Sequence, residues 1–142
     1  MKRVKFLALV AKDTLPVYVE QMRTDLTRAL HAFGLADVAI TDSGAWFHER
    51  FAVCGDWQSW IWESVNGKDY ATREPNFDGF VVCVDTLGKA NAQIVELALR
   101  NNRAVLAWDG SELRSVSRLL TYDANRWVDG WGIETTSLGG SP

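Results

Sequence analysis

The pattern of apolar and polar positions predicts a strand followed by a helix at the start of the chain. Residues 4–10 form a nearly continuous apolar run, which is typical of a strand that is covered on both faces. We expect Thr14 to cap the helix that follows and Gly34 to end it. The apolar residues between them recur at steps of three and four, as on one face of a helix: Val19, Met22, Leu26, Leu30 and Phe33.

The remainder of the chain continues this alternation of strands and helices. Further strands are predicted over residues 37–41, 79–84, 104–108 and 127–133. Helices are predicted over residues 56–65 and 90–102, and from Ser111 through Leu113, Val116, Leu119 and Leu120. Residues 43–44 and 109–110 are expected to form turns and residues 73–78 a loop, in which Pro75 disfavours helix at the preceding residue.

This order of elements predicts an α/β fold. We expect a three-layer, flavodoxin-like or Rossmann-like parallel sheet of about five strands, with helices on both faces. Residues 1–136 are expected to form a single domain, with residues 137–142 as a flexible tail. Ligands of such sheets bind outside the carboxyl ends of the strands, so the loops after Val10, Val84 and Trp108 are expected to border the site.

Composition and charge narrow the range of partners. The chain has 142 residues, 47% of them hydrophobic, and a net charge of −3, with no run of five like charges. This balance is typical of a globular domain and predicts no nucleic-acid partner and no membrane anchor. The apolar run at residues 6–11 is too short for a secretion signal, and Cys54 and Cys83 lack metal or redox spacing. We therefore expect a cytoplasmic protein with reduced cysteines.

Candidate chemistry is confined to carboxylates. The chain lacks a glycine-rich dinucleotide motif, a phosphate loop, a serine-hydrolase elbow and a metal-ligand cluster, so we expect neither cofactor nor metal. Asp85 directly follows the central strand, Glu96 lies on the next helix, and Asp69 precedes the loop that leads into that strand. One carboxylate can attack a glycosidic carbon while a second handles the proton, which makes these three residues catalytic candidates.

Residues 77–85 and 96–105 resemble the nucleoside 2-deoxyribosyltransferase superfamily. In that family an acidic residue and glycine open an apolar strand that ends in Asp, and the next helix carries a Glu followed by a small residue. A Lys-Pro-Val-like step then leads into another strand. The positions that match are Asp78, Gly79, Asp85, Glu96, Ala98, Arg103, Ala104 and Val105.

The resemblance implies a role for each carboxylate. Glu96 would be the nucleophile that attacks the anomeric carbon of a nucleoside. Asp85 would orient the sugar or the nucleophile, and Asp69 would contact the leaving base. The implied substrate is a small-molecule nucleoside or nucleotide, and the implied assembly is a homo-oligomer.

Further residues are candidates for substrate binding. Trp46 and Phe47 could stack on the base. Lys12, Asp13 and Gly88 belong to the loops that follow the first and central strands, at the expected mouth of the site.

Each candidate also has a structural interpretation. Glu96 can lie on a solvent-facing helix surface, where it would pair with Arg100 one turn later. Asp85 can cap its loop, and Asp69 can belong to a surface loop. The seven tryptophans, including Trp57, are more often core or interface residues than ligand contacts.

Two other functions remain open at the level of sequence. The chain could be a non-catalytic module that binds a nucleotide or an ADP-ribose-like ligand, an interpretation favoured by the absence of glycine after the first strand. It also resembles TIR domains, which cleave NAD or mediate assembly, because Glu96 and Leu97 follow a central strand in a similar fold.

Overall fold

A computed structural model describes residues 3–11, 14–35, 37–83, 88–120 and 132–138. Its strands are β1 (Val4–Leu9), β2 (Val38–Asp42), β3 (Gly79–Val82), β4 (Ala104–Trp108), β5 (Leu113–Leu120) and β6 (Gly132–Ser137). These six strands of the described chain form one sheet in the order β2-β1-β3-β4-β5-β6. The first four pair in parallel, whereas β5 and β6 are antiparallel to their neighbours. The fold is therefore α/β with a mixed sheet, not the wholly parallel sheet of about five strands that the sequence predicts.

Four helices connect the parallel strands. They are α1 (Pro16–Ala32), α2 (Ser43–Cys54), α3 (Trp57–Asn66) and α4 (Lys89–Arg100). Helix α1 joins β1 to β2, α2 and α3 together join β2 to β3, and α4 joins β3 to β4. Between two parallel strands the chain must return to the edge of the sheet where the strands begin, and each helical crossover makes this return.

The core consists of two clusters that divide the residues of β1. Leu7 and Leu9 belong to the first cluster, together with buried side chains from α2, α3 and α4. Phe6 and Ala8 belong to the second cluster, together with side chains of α1. Because successive side chains of a strand point to opposite faces, this division explains why β1 is apolar and buried at every position from Phe6 to Leu9.

The predicted first helix is confirmed, with a different cap. Leu26 and Leu30 of the apolar stripe are fully buried, and Gly34 follows the helix with a positive φ of 102°. The N-cap is Leu15, not Thr14, and no side chain caps this end. Pro16 opens the helix, where the missing amide hydrogen removes no intrahelical bond.

The turn predicted at residues 43–44 is wrong, because α2 begins at Ser43. The preceding residue, Asp42, has extended backbone angles, and its side chain accepts a hydrogen bond from the Ala45 amide. This is an N-cap, and Asp is among the residues most favoured there. Asp56 caps α3 in the same way, so the predicted helix over residues 56–65 is confirmed with its first helical residue at Trp57.

The helix predicted from Ser111 is also wrong, because residues 113–120 form β5. The apolar step of three from Val116 to Leu119 spans a bulge between Val116 and Arg118. Leu113 packs in the second core cluster and Val116 in the first, as strand alternation requires. The extra residue, Ser117, then turns Leu119 to the same cluster as Val116. A bulged strand thus reproduces the apolar spacing of a helix.

The end of the chain differs from the prediction in its boundaries. The last strand, β6, begins at Gly132, whereas the predicted strand spans residues 127–133. Residues 121–131 lie outside the described residues. Ser137 belongs to β6 and Leu138 packs against the second cluster, so the predicted tail cannot start at residue 137. Residues 139–142 lie outside the described residues.

Candidate functional site

The carboxyl ends of β1 and β3 form the place where the strand order reverses. From β1 the chain passes to β2 on one side of the sheet and then to β3 on the other side. The helical crossovers therefore diverge above the boundary between β1 and β3, which in open α/β sheets leaves a crevice where ligands bind.

Val10, directly after β1, is held at this boundary by two side chains. Its amide donates a hydrogen bond to Ser43 Oγ at 3.2 Å, and its carbonyl accepts one from Asn91 Nδ2 at 2.9 Å. Ser43 opens α2, and Asn91 lies in the first turn of α4. Both backbone groups of one buried residue thus join the N-terminal ends of two helices to the end of β1. We call Val10, Ser43 and Asn91 the Val10 junction.

The N-terminal end of α4 differs from those of α2 and α3. Its N-cap is Gly88, and no side chain makes a cap hydrogen bond there. The first intrahelical bond runs from the Ala92 amide to the Gly88 carbonyl at 2.9 Å. Among the described residues, no side-chain acceptor at this cap offsets the partial positive charge of the helix N-terminus.

An ion pair reinforces the neighbouring end of β2. Arg23 of α1 donates through Nη2 to Asp42 Oδ2 at 2.6 Å, while Asp42 Oδ1 caps α2. A second bond joins Arg23 Nη1 to Glu20 at 2.9 Å. Arg23 Nε is buried without a hydrogen-bond partner. This guanidinium ties α1 to the start of α2 and so fixes one wall of the crevice.

Glu96 lies away from the Val10 junction. It is the eighth residue of α4, which at 1.5 Å per residue puts it about 10–12 Å along the helix from Gly88. Its side chain is 45% exposed and accepts a hydrogen bond from Arg100 Nη2 at 2.6 Å. Together with Ser117 and Arg118 it borders a surface depression of about 430 Å³ between α4 and β5.

Asp69 lies at the opposite end of the sheet from Gly88. It faces Lys5, near the beginning of β1, in the loop that leads into β3. Its Oδ1 accepts hydrogen bonds from the amides of Ala71 and Thr72 at 2.8 and 3.0 Å. These bonds hold the pKa of the Asp69 carboxyl below its usual value, as expected for a turn-forming carboxylate.

Trp46 and Phe47 are engaged in packing. Trp46 is 6% exposed and donates from Nε1 to Ser64 Oγ at 2.7 Å. Its ring meets Phe77 edge-on, with the centroids 4.9 Å apart. Phe47 is half-buried and stacks on Trp57 at 5.3 Å between ring centroids. Thus the structure places Trp46 in the first core cluster and Phe47 between α2 and α3.

The structure does not bring the described candidates into one site. Glu96, Asp69 and Gly88 lie at three separate places around β3 and α4. Asp85, Lys12 and Asp13 lie outside the described residues, so their predicted roles stay predictions.

Sequence reasoning missed the residues that meet at the carboxyl edge: Arg23, Asp42, Ser43 and Asn91. One signal for them was present. Asp42 followed by Ser43 is a favourable N-cap sequence, and a helix start there would have put Ser43 directly after β2, at the carboxyl edge of the sheet. No comparable signal marks Asn91, because its partner is 81 residues away.

The described part of the chain holds no cluster of three or more His, Cys, Asp or Glu side chains suited to a metal ion. None of its helices combines the length and apolar character that crossing a bilayer requires. Comparisons with protein-family models, curated proteins and solved structures find no match for this chain.

Proposed function

We propose that this chain binds a nucleoside or nucleotide at the carboxyl ends of β1 and β3. The Val10 junction carries the proposal, because it draws the first turns of α2 and α4 to the boundary where the strand order reverses. The uncapped N-terminus of α4 offers backbone amides and positive potential, which suit a phosphate or a sugar hydroxyl.

The proposal includes a three-layer, flavodoxin-like architecture. Its support is the parallel order β2-β1-β3-β4, which matches the first four positions of that arrangement. The two core clusters add to this support, since α1 contributes to one of them and α2, α3 and α4 to the other.

A second candidate function is cleavage or transfer of an N-glycosidic bond through Glu96. The observation in its favour is the depression beside Glu96, whose volume of about 430 Å³ suits a nucleoside. In this reaction a carboxylate oxygen bonds to the anomeric carbon while the carbon–nitrogen bond breaks and the base leaves with its electron pair. The base takes up a proton from a second acid, and water or another base then releases the sugar.

We place binding before catalysis because of what surrounds Glu96. Its carboxylate already accepts a short hydrogen bond from Arg100, and the ion pair is largely exposed to solvent. Asp69, the predicted contact for the base, lies near the other end of β3 from Gly88. A retaining glycosidic reaction needs its two carboxyl groups about 5–5.5 Å apart. Among the described residues, Glu96 and Asp69 do not form such a pair.

Thermal unfolding with deoxyadenosine monophosphate tests the binding proposal. A ligand at about 100 times its dissociation constant stabilises the folded state by about 2.7 kcal/mol, which raises the midpoint by several degrees. We expect the wild-type midpoint to rise and the rise to shrink in Asn91→Ala. The matched control, Gln93→Ala on the same helix, keeps the full shift. A panel of nucleosides and nucleotides that leaves the midpoint unchanged contradicts the proposal.

Chromatography of the same mixtures separates binding from turnover. Intact nucleotide after incubation supports the binding module. Release of free base that is lost in Glu96→Ala supports the N-glycosidic enzyme. Release of nicotinamide from NAD would instead favour the TIR-like interpretation. The homo-oligomeric assembly and the cytoplasmic location stay predictions.

A further inference from the structure

A cavity of about 390 Å³ lies between the C-terminal half of α2, the first turns of α3 and the loop that follows α3. Its lining consists of Arg50, Val53, Cys54, Gln58, Trp62 and Tyr70, with Ser59 and Glu63. Its volume is within the usual range for small-molecule sites, about 300–1,000 Å³. The cavity shares no residue with the Val10 junction, so it is a second concavity with its own chemistry.

The floor of this α2–α3 cavity is an ion pair that neutralises itself. Arg50 Nη2 donates to Glu63 Oε1 at 3.1 Å, and both side chains are about four-fifths buried. The guanidinium carbon lies 5.9 Å from the Trp46 ring centroid and 5.8 Å from that of Tyr70. Because each charge of this pair already has its counter-ion, neither a bound cation nor a bound anion would find an unpaired partner here. This arrangement favours an uncharged ligand.

The walls present aromatic surface to the cavity. Trp62 is 55% exposed and Tyr70 is 86% exposed. Within the described residues Trp62 has no aromatic neighbour at stacking distance, whereas the nearby Trp57 stacks on Phe47. An exposed indole in a concave site offers a flat surface for another ring, and such stacking binds rings with little regard to their substituents. The Gln58 amide adds a hydrogen-bond donor and acceptor beside it.

We propose that the α2–α3 cavity binds an uncharged, planar heteroaromatic molecule that stacks on Trp62 and is bordered by Tyr70. The volume limits the ligand to a small molecule, the paired charges of Arg50 and Glu63 favour an uncharged one, and the exposed rings favour a flat one. The proposal is independent of the function proposed for the carboxyl edge of the sheet.

Caffeine is the probe, because it is planar, uncharged and has neither sugar nor phosphate. Titration followed by NMR of the tryptophan indole N–H groups should give a saturable shift at Trp62, assigned with Trp62→Phe. Removing the indole in Trp62→Ala should weaken binding about tenfold or more. Tyr70→Ala should weaken it less. The control Phe33→Ala removes an exposed aromatic ring at the end of α1 and should leave the affinity unchanged.

Three further probes test the charge and shape requirements. Benzoate and benzylamine are flat but charged, and cyclohexanecarboxamide is uncharged but not flat, so each should bind more weakly than caffeine. The proposal is overturned if caffeine gives no saturable shift, if its affinity survives Trp62→Ala, or if a charged probe binds more tightly. It is also overturned if chromatography and cross-linking show a second copy of the chain covering Trp62. The nucleotide-induced midpoint shift should persist in Trp62→Ala, so the two proposals fail separately.

Discussion

Cys83 shows how the fold alters the chemistry of a single residue. It follows β3 at the carboxyl end of the sheet, is 4% exposed and packs in the second core cluster. Its thiol has one weak partner, the Val81 carbonyl at 3.8 Å. Burial raises the pKa of the Cys83 thiol from the usual 9.0 to about 12. The thiolate is therefore much less favourable in the folded chain than in the unfolded one.

This pKa shift predicts a loss of stability at alkaline pH. The unfolded chain releases the Cys83 proton above about pH 9 and the folded chain only near pH 12, so the free energy of unfolding falls across that interval. At about pH 10.5 the loss from this residue should reach about 2 kcal/mol. Urea unfolding of wild type and Cys83→Ala at several pH values measures it.

The variant should lack this part of the alkaline loss, whatever its stability at neutral pH. Cys54→Ala is the control, because that thiol is only partly buried and its pKa is raised to a smaller extent, by burial and by Glu63. Parallel pH profiles for wild type and Cys83→Ala would contradict the assignment.

At the scale of elements, prediction from sequence succeeds where one rule decides the structure. The apolar run of β1 and the stripe of α1 follow directly from burial on two faces and on one face. It fails at α2, where the sequence predicts a turn at residues 43–44 but Asp42 caps a helix, and at β5, where a bulge at Ser117 imitates helical spacing. In each case a single local feature, a helix cap at Asp42 or a bulge at Ser117, changes the structure without changing the apolar pattern.

Asp42 carries two functions for its element, and its removal is expected to be costly. Asp42→Ala deletes the cap on the Ala45 amide and leaves the partly buried guanidinium of Arg23 without its carboxylate at 2.6 Å. The loss of a cap costs about 1 kcal/mol, and the broken ion pair adds to it, so we expect a total of about 1–3 kcal/mol. Equilibrium denaturation in urea measures the cost.

Asp25→Ala provides the matched control. Asp25 accepts from Gln21 on α1, and its contact with the exposed Arg28 is 3.8 Å long, so its removal should cost less than about 0.5 kcal/mol. Equal effects of the two substitutions would show that Asp42 does not organise the start of α2.

At the scale of the whole molecule, the site depends on strand order, which the spacing of motifs does not contain. The sequence predicts the carboxyl edge as the ligand-binding edge, and the Val10 junction lies there. The position of Asp69 depends on how the loop before β3 folds. The position of Glu96 depends on its distance from the N-terminal end of α4. Their sequence spacing is compatible with a shared site, but the observed topology separates them. Long-range pairing therefore sets the limit of what the sequence could predict.

Arg103 joins several elements at the amino edge of the sheet. It directly precedes β4, donates through Nη1 to the Val65 carbonyl of α3 at 2.5 Å, and through Nη2 to the Phe77 carbonyl before β3. Its guanidinium carbon also lies 5.8 Å from the ring centroid of the fully buried Phe80. Arg103 thus connects the end of α3 with the starts of the neighbouring parallel strands β3 and β4.

Replacing this cation should destabilise the whole domain. Arg103→Met keeps an apolar stem but leaves two carbonyl acceptors without their charged donor, which should cost about 2–4 kcal/mol in urea denaturation. Arg100→Met is the matched control: that guanidinium is 68% exposed and pairs with Glu96 at the surface, so its loss should cost under about 0.5 kcal/mol. Because Arg103 bridges elements that are distant in sequence, the transition of its variant should shift as one cooperative unit. A biphasic transition, or a cost no larger than that of Arg100→Met, would mean that Arg103 does not hold the amino edge together.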